Sequence, residues 1–405
     1  MKLIAPSYYE RFRCKGKECK NNCCIGWEID IDGKTLERYG TLRGDIGEKI
    51  SKSIVKSGDV SHFCLLHNGR CPHLNSDNLC NIILELGEEY LSDICREHPR
   101  YYITLGDTVF GGVGLSCEAA AELILSEKTQ HGYAEYRAEG FEPEECDGEL
   151  LKIVLSYKDK LLERVETAES LYDLLSGAVR VALRLQGEID GVKTDLNAVT
   201  CPKNADFLSE IARIFSSLEY MKDTLPEIIQ SALSYAKGRV AFAPKHESNT
   251  EASAGNDLTL TNTERLLSVD GESSADMGTS PRDYPELVSN TEVSLQGTDE
   301  QRKKAEGSLK CTAELYRPFK NLFVYFIDRY LLGAVCDGDG LGAIWLACVS
   351  TYLLSLISSA ERLDYNGLLR LAVQYSEEIE YCEDNVSAIK EAMTPELLSY
   401  FLNLG

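Results

Sequence analysis

Residues 6–32 read PSYYERFRCKGKECKNNCCIGWEIDID, and the spacing Cys14-x4-Cys19-x3-Cys23-Cys24 within them decides how the rest of the chain is read. A second set follows as Cys64-x6-Cys71-x8-Cys80-x14-Cys95, and Cys117 closes the series. Nine of the chain's 15 cysteines thus fall in its first third, so a shared purpose is expected of them. The opening MKLIAP has no apolar core ahead of Glu10 and Arg11; no secretory signal is expected, and the thiols are expected to stay reduced in the cytoplasm. In such a compartment clustered cysteines ligate metal more readily than they pair as disulfides.

Cys14, Cys19, Cys23, Cys24, Cys64, Cys71, Cys80, Cys95 and Cys117 are therefore the candidate metal ligands. Their close spacing lets several thiolates converge at little loop-closure cost. Nine exceed one four-ligand site, which leaves room for two sites or for one cluster with supporting thiols. Zinc would take four of them tetrahedrally, and a four-iron (4Fe-4S) cluster suits the same loops, so spacing leaves the metal open. His62, His67 and His73 are possible replacement ligands, while Arg96 and His98 could orient a ligand or contact an anion. Cys146, Cys201, Cys311, Cys336, Cys348 and Cys382 read as small buried apolar residues.

Other chemistries find less support. Gly26 stands where a Cys-x3-Cys-x2-Cys motif starting at Cys19 needs its third thiol. Gly111-Gly112-Val113-Gly114 lacks the full Gly-x-Gly-x-x-Gly of a dinucleotide site and reads as a strand end. Asp337-Gly338-Asp339-Gly340 would need a glutamate at its twelfth position to hold calcium, and Cys348 is there instead. Tyr101, Tyr102 and Glu97 lie near the second cysteine block, but nothing singles out a catalytic base or a cofactor-contacting residue.

The fold class expected is mainly α: a loop-rich cysteine domain over 1–126 with a small β-hairpin, followed by a helical bundle. Trp27-Glu28-Ile29-Asp30-Ile31-Asp32 alternates as a strand does, Gly106-Asp107 turns a hairpin, and Cys117 starts a helix. Apolar residues recur every three or four positions over 127–244, as in amphipathic helices. Residues 245–310 are polar and of low complexity, a disordered linker or insertion by composition. The C-terminal segment 311–405 is expected to pack with 127–244, with Pro318 opening a helix and three further helical patterns after the turn at 337–340. Gly340–Ala360 has no charge over a length that could span a bilayer, but its Ser, Thr, Gly and Cys content points to a buried helix and no membrane. Of the net charge of −23 most lies beyond residue 126, where 47 acidic residues face 27 basic ones. Such a chain repels phosphate backbones, which argues against nucleic acid and for a lysine-bearing protein partner.

The blocks PSYYERFRCKGKECKNNCCIGWEIDID, CPHLNSDNLCNI, LSDICREHPRYY and LSCEAAAELIL, in that order over about the first 125 residues, resemble the flagellin lysine N-methylase family. They also resemble a broader group of cysteine-rich zinc- or iron-chelating domains. A later block, FKNLFVYFIDRYLLGAV at 319–335, is similar to an aromatic, Arg-Tyr-bearing helix of the methylases. The resemblance implies methyl transfer from S-adenosylmethionine to surface lysines of flagellin, with an iron–sulfur cluster taking part. An iron with fewer than four thiolates could accept the donor's amino and carboxylate groups. The competing expectation is a non-enzymatic zinc- or iron-binding protein or an interaction scaffold.

Overall fold

A computed structural model describes residues 1–128, 131–192, 204–241 and 313–403. The low-complexity stretch 245–310, Cys201 and Cys311 lie outside the described residues. The fold is mainly α. Two small sheets occupy the first 137 residues, and long helices make up the remainder.

The larger sheet is assembled from distant segments. Strand β1 (Lys2–Pro6) lies parallel to β6 (Thr108–Val113) and antiparallel to β7 (Tyr133–Arg137), and β5 (Arg100–Leu105) flanks β6 on its other side. The expected hairpin is β5–β6, turning at Gly106 with φ +64°. Every residue of β6 is buried, as an interior strand covered on both faces must be. Tyr101 pairs with Gly112 and Tyr102 with Gly111 across the hairpin. A Cβ on Gly112 would lie 2.5 Å from the Tyr101 hydroxyl, so the two glycines let the tyrosine rings of β5 fold over β6. The Gly-Gly pair and Val113 form the end of β6, the strand end expected of this stretch.

The smaller sheet orders β2 (Asp30–Ile31), β4 (Val60–Phe63) and β3 (Ile54–Ser57). Of the alternating run from Trp27 to Asp32, only Asp30–Ile31 forms a strand. Asp32 instead caps α1 (Gly33–Thr41), accepting from the Thr35 N–H, and its other oxygen accepts from the Asp93 N–H at 2.9 Å. That second bond ties α1 to α4 (Asp93–Glu97), the helix that carries Cys95. A satellite core of Ile29, Ile31, Tyr39, Ile50, Phe63 and Leu91, joined by α2 (Gly44–Ser53) and α3 (Asn81–Leu86), fills the space beneath these loops.

Helix α5 (Glu118–Ser126) leads from this region into the bundle of α6 (Gly148–Thr167), α7 (Leu171–Ile189), α8 (Asn204–Ser216) and α9 (Thr224–Ala241). The C-terminal segment adds α10 (Ala313–Tyr330), α11 (Ala334–Asp337), α12 (Gly340–Ala360), α13 (Tyr365–Tyr375), α14 (Glu383–Glu391) and α15 (Pro395–Leu402). Four helices thus follow the 337–340 turn where three were expected, and Pro318 sits inside α10 rather than opening it. Strand β7 likewise falls in the stretch read as helical. Helix α12 is long and apolar enough to cross a bilayer, and it is buried from Gly340 to Ser358 against α7, α9 and α10. Two of its polar groups find internal partners, Ser350 bonding the Tyr375 hydroxyl at 2.7 Å and the Trp345 indole donating to the Ile389 carbonyl at 2.9 Å, while the buried Thr351 hydroxyl has none among the described residues.

Between α13 and α14 the chain makes a π-helical turn, Ser376–Glu380, that buries three glutamates, Glu377, Glu378 and Glu380. Such turns cluster at functional sites. This one faces the cysteine-bearing loops, since Asn21 donates to Glu377.

Candidate functional site

The cysteine blocks are knitted together by backbone hydrogen bonds rather than by sequence proximity. The Cys71 N–H donates to the Cys24 carbonyl at 2.8 Å, the Gly26 N–H to the Gly69 carbonyl at 2.8 Å, and Leu74 bridges to Cys80. Cys80 and Cys117 cap the N-termini of α3 and α5, and Cys19 closes the short turn Gly16–Glu18. Glu118 fastens that turn to α5, accepting from the Lys20 and Asn21 N–H groups and from Lys15 at 2.8 Å.

Cys23 is the hub. The Cys24 thiol donates to its sulfur, which holds the Cys23 thiol below its ordinary range. Burial pushes Cys71 up to about 11, Cys95 to about 12 and Cys117 to about 11, and negative charge at Cys23 adds to each rise. Burial likewise raises Cys80 and Cys19, again with a contribution from Cys23. Seven of the nine candidates, Cys19, Cys23, Cys24, Cys71, Cys80, Cys95 and Cys117, thus share one electrostatic neighbourhood. Cys14 is exposed and reaches it only through Cys19. Cys64 is exposed and directs its thiol at the Leu65 carbonyl.

Among the described residues no three His, Cys, Asp or Glu side chains already stand as a metal-holding group. Three of the thiols, though raised by burial, have backbone donors that favour their ionised form. The cysteines in the described residues are free thiols, and backbone N–H groups of His73 and Leu74 point at the Cys71 sulfur, those of Ile82 and Ile83 at Cys80, and those of Ala119 and Ala120 at Cys117. Amides aimed at sulfur favour the thiolate over the thiol, and a cation converts the repulsion among neighbouring thiolates into attraction. The histidines stand apart from this set. His73 is buried against the Ser53 hydroxyl at 2.9 Å and held neutral, burial lowering its pKa to about 4; His67 is exposed and His62 lies on β4. Arg96 is spent on Asp93 and Glu97 at the surface, and burial lowers His98 to about 4.

A polar cleft adjoins Cys117. Arg329 of α10 donates through Nε to the Tyr330 hydroxyl at 3.2 Å and lies 3.3 Å from Glu380 of the π-helical turn. Glu380, only 2 % exposed, also accepts from the Tyr325 hydroxyl at 2.9 Å and from the Tyr330 hydroxyl at 2.9 Å. The guanidinium lies over the rings of Tyr101, Tyr330 and Tyr381, at 5.0, 5.7 and 5.8 Å from their centroids. Ser116 donates to the Tyr381 hydroxyl at 2.9 Å, and Trp27, three residues after Cys24, packs edge-on against the Tyr381 ring at 4.7 Å.

Over 133 residues the chain is 30% identical to the flagellar biosynthetic protein FliU of Salmonella muenchen, covering 78% of that protein and 31% of this chain. The chain belongs to the FliU family. It is also 30% identical over 131 residues to the lysine-N-methylase of Salmonella typhimurium and 29% identical to that of Salmonella choleraesuis. These matches take in 33% of each methylase, so the chain spans about a third of the length of those relatives. No family profile and no solved structure matches the chain.

In this member of the FliU family the cleft was not singled out from sequence. The block at 319–335 drew notice as an aromatic helix, yet the Asp328-Arg329-Tyr330 run inside it is a charge pair in an otherwise apolar face, which marks a buried polar site. Asp328 is itself engaged, 2.8 Å from Lys158 and accepting from Tyr133. Of the six cysteines read as buried, Cys348 is buried, Cys146 and Cys382 are half-buried, and Cys336 is exposed because α11 ends at the surface turn.

Proposed function

We propose that this protein transfers a methyl group from S-adenosylmethionine to the side-chain nitrogen of a lysine on a flagellar or other lysine-bearing protein. The observation that carries the reading is the similarity to proteins named lysine-N-methylase and FliU, and the six thiols that share the electrostatic neighbourhood of Cys23 beside the Arg329 cleft support it. Cys23, Cys24, Cys71, Cys80 and Cys95 are the residues that would hold an iron–sulfur cluster, with zinc as the alternative, and Cys19 and Cys117 flank them. Bound there, the cluster would supply a Lewis-acidic iron able to anchor the polar end of the donor.

The rest of the chemistry belongs to the chain's own groups. A lysine ammonium is not a nucleophile, so the site must take its proton before the nitrogen lone pair attacks the methyl carbon and the carbon–sulfur bond breaks. Glu377 would take that proton, a role supported by its buried carboxyl, by the pKa that burial raises and by its bond from Asn21, which lies between Cys19 and Cys23. The rings of Trp27 and Tyr381 at the mouth offer a cation-tolerant, water-poor approach for a lysine side chain.

The test is anaerobic purification followed by iron, sulfide and zinc per chain and by methylation of a lysine-bearing protein. Cys23→Ala is expected to lose iron and methyl transfer together, whereas Cys64→Ala, at an exposed position, keeps both. Full activity in an iron-free and zinc-free preparation would overturn the metal's part, and absence of methylated lysine in the metal-loaded wild type would overturn the activity.

A further inference from the structure

The Arg329 guanidinium is only partly used. Its Nε is committed to Tyr330 and Glu380, but among the described residues neither Nη1 nor Nη2 has a hydrogen-bond partner. Neither is among the buried polar atoms that lack a partner, and the Arg329 side chain is 16 % exposed, so both stay open to water or a ligand. A side chain at Gly114 would crowd this spot: its Cβ would sit 3.2 Å from the Pro99 carbonyl oxygen, 3.3 Å from Nη1 and 3.8 Å from the Tyr381 hydroxyl. The cleft is reached from solvent past Tyr381, which is 41% exposed. Ser116, which holds the Tyr381 hydroxyl, precedes Cys117 in sequence.

We infer that Arg329, Gly114 and Tyr381 form a carboxylate subsite next to the thiol cluster, and that its ligand is the carboxylate of the amino-acid end of the methyl donor. The inference rests on the methyl-transfer reading and deepens it by giving the donor a protein anchor. Glu380 and the tyrosines fix the guanidinium by its Nε, so Nη1 and Nη2 are presented as a fork that matches two carboxylate oxygens. Gly114 leaves Nη1 uncrowded because it has no side chain to press on it, and the Tyr381 hydroxyl lies beside the same spot. The carboxylate then reaches the protein through Arg329, whether or not an iron also binds the donor.

Equilibrium dialysis of the metal-loaded protein tests this with two probes, S-adenosylhomocysteine, which has the carboxylate, and 5′-methylthioadenosine, which lacks the whole amino-acid end. Arg329→Lys keeps a positive charge beside Glu380 while losing the fork, and it is expected to weaken S-adenosylhomocysteine about 10- to 100-fold and to leave 5′-methylthioadenosine within about twofold. Gly114→Ala, which leaves Arg329 and Glu380 paired, is expected to shift the two probes in the same selective way. Circular dichroism and the iron content establish that each variant is folded and loaded, and Gly114→Ala alone decides the matter if Arg329→Lys does not fold. Equal weakening of both probes, or unchanged S-adenosylhomocysteine binding in a folded variant, overturns the subsite while leaving the methyl-transfer reading in place. A wild type that binds neither probe overturns both.

Discussion

The Cys24-to-Cys23 hydrogen bond gives two adjacent thiols opposite tendencies, one toward thiolate and the other away from it. Cys23 is therefore the thiol that a metal or an alkylating reagent should find first. With iodoacetamide at neutral pH and no metal, Cys23 is expected to be labelled faster than the half-buried Cys95 and Cys117, as peptide mass spectrometry would show; faster labelling of Cys95 would contradict the hub assignment. His131 offers a pH-dependent counterpart. Its Nε2 is buried without a hydrogen-bond partner and burial lowers its pKa, with Asp328, Glu166, Arg317 and Glu127 as the charges around it. The unfolded chain takes up that proton as pH falls through about 6.5 while the folded chain does not, so the contribution of this residue favours unfolding increasingly below that pH. His131→Gln is expected to flatten the loss of stability between pH 7.5 and 5.5, measured by urea denaturation; an unchanged pH profile would show that His131 titrates normally.

Among the elements, α12 and the β5–β6 hairpin matter most for placing the cleft. Leu353, fully buried in α12, is expected to cost about 2–5 kcal/mol on truncation to alanine. Leu84 on α3 is 58% exposed, so its truncation should stay within about 0.5 kcal/mol, and denaturant midpoints would separate the two. The hairpin, the helix start at Cys117 and the burial of α12 were legible in the sequence because each is a local pattern: a turn dipeptide, a helical period, an uncharged run. Strand β1 was not, because its partners at 108–110 and 133–137 lie more than 100 residues away and a five-residue apolar run carries no record of them. Spacing could not separate the cysteines by exposure: Cys14 and Cys64 have the spacing of their neighbours, and only the fold leaves both exposed, Cys64 just past the end of β4. The Arg329 cleft escaped for a third reason, since Tyr101, Gly114, Arg329, Glu380 and Tyr381 come from separate parts of the chain and no local spacing relates them.

At the scale of the molecule, the cysteine loops and the helical bundle differ in what holds them. The bundle has a continuous apolar core, whereas the loops from Cys14 to Cys95 rest on a satellite core of few residues, so on the proposed reading a metal would carry more of their stability. Removing metal with a chelator is expected to open the 14–95 region to trypsin while the bundle stays resistant, visible as a stable C-terminal fragment by mass spectrometry; simultaneous digestion of both regions would show that the bundle depends on the metal as well.

The central position of β1 also sets a timetable for biosynthesis. Residues 2–6 leave the ribosome first, yet their pairing needs residues 108–110 and then 133–137, so the sheet cannot close until the whole cysteine-bearing segment is outside the exit tunnel. For that interval the nascent thiols have no frame and remain open to oxidation and to the wrong metal. Slow translation through residues 64–137 would lengthen this window, and the thiols gain their frame only late in the life of the nascent chain.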